Sequence, residues 1–174
     1  MNMKKAFKVL TAVVLGAMLL TACTPATPAE TTKGSESGAK EFTFVWKDTD
    51  ITPGKDCKKA VEALGTDYKY FSGADCAYEG MNSVYDYTDV TIYAYTDKNG
   101  TDEIISIVEV KGADLKTPEG VGNGDTPDKI KEVYGEAKVE NKGGLLYQSG
   151  NIELSFFVKD GVVSSMTYAE VKGE

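Results

Sequence analysis

Two stretches of this chain can be laid over one another, and that duplication limits the folds open to it. Ile51-Thr-Pro-Gly54 leads into a lysine-rich amphipathic stretch ending Ala63-Leu64-Gly65, and Val121-Gly-Asn-Gly124 leads into another ending Val133-Tyr134-Gly135. The glycines are eleven residues apart in both copies, and the copies are offset by 70. Further on, Val90-Thr-Ile-Tyr-Ala-Tyr95 matches Ile152-Glu-Leu-Ser-Phe-Phe157 at an offset of 62. Both halves finish in Glu-Val-Lys-Gly, at 109–112 and 170–173. Three matching blocks in one order indicate a tandem repeat, with longer loops in the first copy.

Local chemistry fills in each unit. Asp125-Thr126-Pro127 offers a cap residue before a proline suited to a first helical turn, and Gly135 offers a stop. Lys55-Asp56 and Gly65 do the same around the first helix. Ala60, Val61 and Leu64, like Ile130, Val133 and Tyr134, give each helix one apolar stripe. Strands follow as alternating segments at Ser83–Tyr87, Val90–Thr96 and Glu103–Glu109, then Leu145–Ser149, Ile152–Val158 and Val162–Glu170. Thr88-Asp89, Asp97-Lys-Asn-Gly100, Gly150-Asn151 and Lys159-Asp-Gly161 read as the turns between them. The expected fold is α+β: tandem αβββ(β) repeats forming one antiparallel sheet, with two short helices packed on one face.

This arrangement resembles the β-lactamase inhibitor protein fold and the small SmpA/OmlA-type envelope lipoproteins. The residues that carry the likeness are Gly54…Leu64-Gly65 and Gly124-Asp125…Tyr134-Gly135 with the strand hairpins after them, over residues 51–173. The resemblance implies two αβ units side by side in one curved sheet whose concave face grips a partner. The chain departs from the inhibitor pattern in its cysteines: the inhibitor has a disulfide in each repeat, and here only the first half has cysteines.

The start of the chain reads as an address. Lys4, Lys5 and Lys8 precede an apolar run from Val9 to Leu20, which ends Leu20-Thr21-Ala22-Cys23. That is a secretory signal over residues 1–22, and its ending resembles the bacterial lipobox. Cys23 would then carry the lipid and anchor the protein to a bacterial membrane on its extracytoplasmic side. Residues 23–41 are rich in Thr, Ser, Pro, Ala and Gly, with no large apolar residue, and read as a flexible tether. Residues 42–174 are then one domain of two repeats, 42–112 and 113–174.

Composition excludes several activities. All 19 basic residues are lysine, there is no histidine, and 27 acidic residues leave a net charge of −8. Histidine-based catalysis and histidine metal ligands are therefore absent, and so is the forked guanidinium grip on phosphate. Loss of the signal would take the net charge to −11, which disfavours nucleic acid. Asp97-Lys-Asn-Gly-Thr-Asp102-Glu103 lacks the ligand spacing of a calcium loop. Gly120-Val-Gly-Asn-Gly124 lacks the lysine of a phosphate loop and reads as a tight turn into a helix. No catalytic residue, metal site or cofactor is expected. Cys57 and Cys76, an even pair in an exported chain, read as a disulfide, with redox chemistry as the competing reading.

The aromatics point to binding. Seven of the ten tyrosines fall between residues 68 and 95. With Thr88-Asp89 as a two-residue turn, Tyr85 and Tyr87 face the helices. Thr91, Tyr93 and Tyr95 then face the open side, as do Glu153, Ser155 and Phe157. Tyr93, Tyr95 and Phe157 are the expected anchors for a protein, peptide or wall-polymer partner, since aromatic side chains supply large contact area at low entropic cost. The bland alternative is that these rings only stabilise the sheet. The expected protein is a non-enzymatic envelope lipoprotein acting as a binding module. Its rivals are an inhibitor or regulator of an extracytoplasmic enzyme and an envelope-assembly scaffold.

Overall fold

A computed structural model describes residues 41–74, 80–96 and 99–171, all within one compact unit spanning 36–174. The signal, Cys23, most of the tether, Cys76, Asp97-Lys98 of one turn and the end of the second Glu-Val-Lys-Gly lie outside the described residues. A small hairpin comes first, β1 (Val45–Trp46) and β2 (Thr49–Asp50), then α1 (Cys57–Leu64). The chain continues as β3 (Lys69–Ala74), β4 (Met81–Tyr87), β5 (Val90–Thr96) and β6 (Glu103–Val110). The second part is α2 (Pro127–Tyr134), β7 (Val139–Asn141), β8 (Gly144–Ser149), β9 (Ile152–Lys159) and β10 (Val162–Glu170).

β3 to β10 form one antiparallel sheet in the order β3-β4-β5-β6-β10-β9-β8-β7. Each helix is thus followed by a four-stranded meander, and the two meanders meet where β6 pairs with β10. β1 and β2 form a separate two-stranded sheet, so the expectation of a single sheet is corrected. Edge strands β3 and β7 also went without individual recognition in the sequence. Every residue of both is exposed, so neither displays the alternation that marks a half-buried strand.

The helices begin and end through the chemistry read from the sequence. Asp56 accepts from the Lys59 amide at 3.2 Å, and Thr126 accepts from the Lys129 amide at 3.3 Å with Pro127 opening the helix. Gly65 (φ 84°) and Gly135 (φ 76°) stop them in a conformation that other residues reach only with strain. The entries also correspond. Gly54 N–H donates to Ile105 O (2.7 Å) and Ile105 N–H to Lys55 O (2.9 Å). Gly124 N–H donates to Val163 O (2.8 Å) and Val163 N–H to Asp125 O (2.9 Å). At the exits, the Tyr87 hydroxyl donates to Gly65 O (3.1 Å) and the Tyr147 hydroxyl to Gly135 O (3.0 Å).

One sheet face carries the core. Tyr85, Ile92, Val108, Leu154, Phe156 and Tyr168 are buried there with Ala60, Leu64 and Ile130 from the helices. Each large apolar side chain so buried contributes roughly 1.5–3 kcal/mol. The segment before α1 completes this layer: the Phe44 ring lies 5.2 Å from Tyr168, and Trp46 meets Tyr87 edge-on at 5.4 Å. Val133, expected in the α2 stripe, is instead exposed, because the buried positions of that short helix are taken by Ile130 and in part by Tyr134.

Candidate binding face

The opposite face of the sheet is built by strand alternation. Tyr85 pairs with Ile92 and Tyr87 with Val90, and all four are buried, as the two-residue turn at Thr88-Asp89 requires. The intervening residues therefore point away from the helices. Following the register across the sheet, Phe71 pairs with Val84, Val84 with Tyr93, Tyr93 with Ile107 and Ile107 with Ala169. Directly paired side chains share a face about 4.5–5.5 Å apart. The result is an apolar row over five adjacent strands, in which Phe71 is 60% exposed and Ile107 is 37% exposed. A second, shorter row joins Asn82, Tyr95 and Ile104.

Tyr93 and Tyr95 are half-buried in these rows, and carboxylates meet both hydroxyls. Tyr93 lies 3.5 Å from Glu109 Oε2, and Tyr95 lies 3.4 Å from Glu170 Oε2 at the far end of β10. Burial first, and then the neighbouring carboxylate, pushes each phenol above its ordinary pKa. The Tyr95–Glu170 contact joins the two meanders, so that ring also has a cohesive role.

A polar strip borders the apolar row. Lys111 Nζ reaches Thr91 Oγ1 (2.7 Å) and Asp86 Oδ1 (3.1 Å), and its hydrogen bond holds the Asp86 carboxyl below the usual carboxylate range. Thr91 points to this side as expected but is buried beneath that ion pair. One edge of the face therefore carries a lysine bound to its own carboxylate partner.

Phe157 is exposed on the same side, but the structure does not bring it to the tyrosines. It pairs with Ser165 and Gly144, while β6 and β10 separate its strand from β5. Strand spacing puts it on the order of 20 Å from Tyr93. It lines a separate recess of about 310 Å³ with Val139 and Leu146. Sequence reading missed Phe71, Val84 and Ile107. Ile107 was hidden by the bulge between Tyr93 and Ala94, where Ser106 is the extra residue and the alternation of β6 shifts.

Cys57 is buried at the start of α1 and has no cysteine partner among the described residues, which do not include Cys76. Desolvation, then Glu103 and Asp56, pushes the Cys57 thiol up to about 12, so it is a poor nucleophile at neutral pH.

No protein-family model matches this chain, and neither a characterised protein nor a solved structure matches it.

Proposed function

We propose that this chain is a non-enzymatic binding module of the bacterial envelope, held to a membrane through lipid on Cys23, with its partner lying across the sheet face opposite α1 and α2. The single observation behind this reading is the apolar row Phe71–Val84–Tyr93–Ile107. Exposed apolar side chains in contiguous rows are what partner surfaces present, whereas scattered ones carry no such meaning. Tyr93 remains an anchor in this proposal and Tyr95 a flanking one. Phe157 would contact only a partner long enough to cross three strands.

Duplication of one helix-plus-meander unit, in the manner of the β-lactamase inhibitor protein fold, belongs to the same proposal. Its support is the matching entry and exit hydrogen bonds at Gly54 and Gly124, and at Gly65 and Gly135. A Cys57–Cys76 disulfide is part of it as well. Ala74 and Met81, which flank residues 75–80, lie at the end of the sheet where Asp56 bridges Ile104. Thiol counting in denaturant on protein secreted under oxidising conditions checks it: no free thiol is expected before reduction, and two free thiols would remove the disulfide.

Placing a photo-crosslinking residue at Phe71, at Ile107 or at the exposed helix position Glu62 in intact cells tests the binding face. The same discrete product from positions 71 and 107, absent from 62, is expected. An extracytoplasmic enzyme in that product would make the protein an inhibitor or regulator; an assembly protein would make it a scaffold. Equal labelling from position 62, or none from either face position, would remove the proposal.

A further inference from the structure

A recess of about 500 Å³ opens where the end of α2 meets β8 and the residues before β1, on the other side of the molecule from the apolar row. Its volume falls in the range that holds small organic ligands. Three aromatic rings line it. Phe42 meets Tyr134 edge-on at 5.8 Å between centroids, and Tyr134 meets Tyr147 at 5.3 Å, tilted by 41°.

The carboxylates in this lining outnumber its lysine, Lys138. Glu119 and Glu136 both border the recess. The Tyr134 hydroxyl, 2.8 Å from Thr117 Oγ1, donates to Glu119 Oε2 at 2.7 Å, which fixes that carboxylate beside the ring. Lys138 is the lysine in the lining, but its ammonium is engaged by Gln148 and by Glu153. Tyr134 is also the last residue of α2, so the negative end of the helix dipole lies at the same place. Seventy residues earlier, the corresponding positions hold Leu64 and Thr66 in place of Tyr134 and Glu136. The ring of Tyr134 and the carboxylate of Glu136 therefore have no counterpart at the end of the first helix.

Aromatic faces attract cations through the ring quadrupole, most of all cations that shed water easily. Carboxylates and a helix C-terminus add to that attraction and repel anions. We propose that this recess binds a small organic cation, an alkylated or quaternary ammonium group. Phe42, Tyr134 and Tyr147 would receive its apolar body, with Glu119 and Glu136 close to its charge. The proposal is independent of what lies on the open sheet face.

The test is an NMR titration of the purified protein with choline and, separately, with 3,3-dimethylbutan-1-ol, its uncharged isostere. Choline is expected to shift the Tyr134 and Tyr147 ring resonances saturably and to bind at least tenfold more tightly than the alcohol. Glu119→Gln and Glu136→Gln, both at exposed positions, are expected to weaken choline several-fold each at unchanged Tm. Choline that fails to saturate these resonances, or binding of the alcohol within about threefold of choline, would overturn the proposal.

Discussion

The Tyr85 hydroxyl donates to the carboxylate of Glu103, lying 3.1 and 3.0 Å from its two oxygens, inside a layer where Glu103 is only 6% exposed. β4 thereby grips β6 from beneath β5. Burial, and then this bond, raises the Tyr85 phenol above its ordinary range. Tyr85→Phe leaves a buried carboxylate without its donor and is expected to cost about 1–3 kcal/mol. Tyr93→Phe removes only the long contact to Glu109 and should be close to neutral by comparison. Urea unfolding of both variants checks the contrast; equal losses would mean that the Tyr85 hydroxyl is not a special contact.

In the reduced protein, stability should fall on the alkaline side. Cys57 is pushed up to about 12 from 9.0, chiefly by burial, and Tyr87 up to about 12 from 10.0, also by burial first. Above pH 9 the unfolded chain gives up the cysteine proton while the folded chain keeps it, so ionisation favours unfolding. The contribution is complete below pH 9 and is lost as pH rises through about 12, with Tyr87 joining above pH 10. Urea midpoints measured at several pH values from 7 to 11 should decline from pH 9 upward, and less steeply in Cys57→Ala. A flat profile would contradict the burial of both groups.

Gly122 and Gly120 sit two residues apart and should respond differently to alanine. A Cβ on Gly122 would lie 2.3 Å from the Leu115 carbonyl oxygen, in the bridge between Lys116 and Gly122. The backbone there must shift, at a cost of about 1–3 kcal/mol. Gly120, at φ 88°, has open space around it, so its alanine meets conformational strain alone, about 1–2 kcal/mol. The two separate in amide protection: Gly122→Ala should also weaken it at Asp125, whose N–H donates to Gly122 O (3.2 Å), and Gly120→Ala should not.

Anchoring depends on a single atom in the proposal made for Cys23. Cys23→Ala should move the protein from the membrane fraction to the soluble fraction of cells while leaving the Tm of the folded domain unchanged. Protein that stays with the membrane after this change would mean that something other than lipid holds it.

Local features were legible without coordinates. Asp56, Thr126 and Pro127 mark where helices start, because their preferences depend on neighbours within one turn. Thr88-Asp89, Gly150-Asn151 and Asp160-Gly161 fix hairpin register for the same reason. Once that register is known, alternation alone puts Tyr85 and Tyr87 in the core and Tyr93 and Tyr95 on the other side. The α+β class and the faces of β5 and β9 follow from contacts close in sequence.

What required the tertiary structure was every relation between distant segments. The joining of β6 to β10 is set by which edges remain free after both meanders form, and nothing in either strand encodes it locally. The β1–β2 hairpin is too short to carry a periodic signal, yet it places Phe44 and Trp46 in the core. The bulge at Ser106 brings Ile107 into line with Tyr93, while strand order keeps Phe157 away. Sequence by itself determined the direction in which each of these side chains points, because direction is a property of the local backbone. The structure decided which of them stand together, because proximity across a sheet depends on the whole chain being folded.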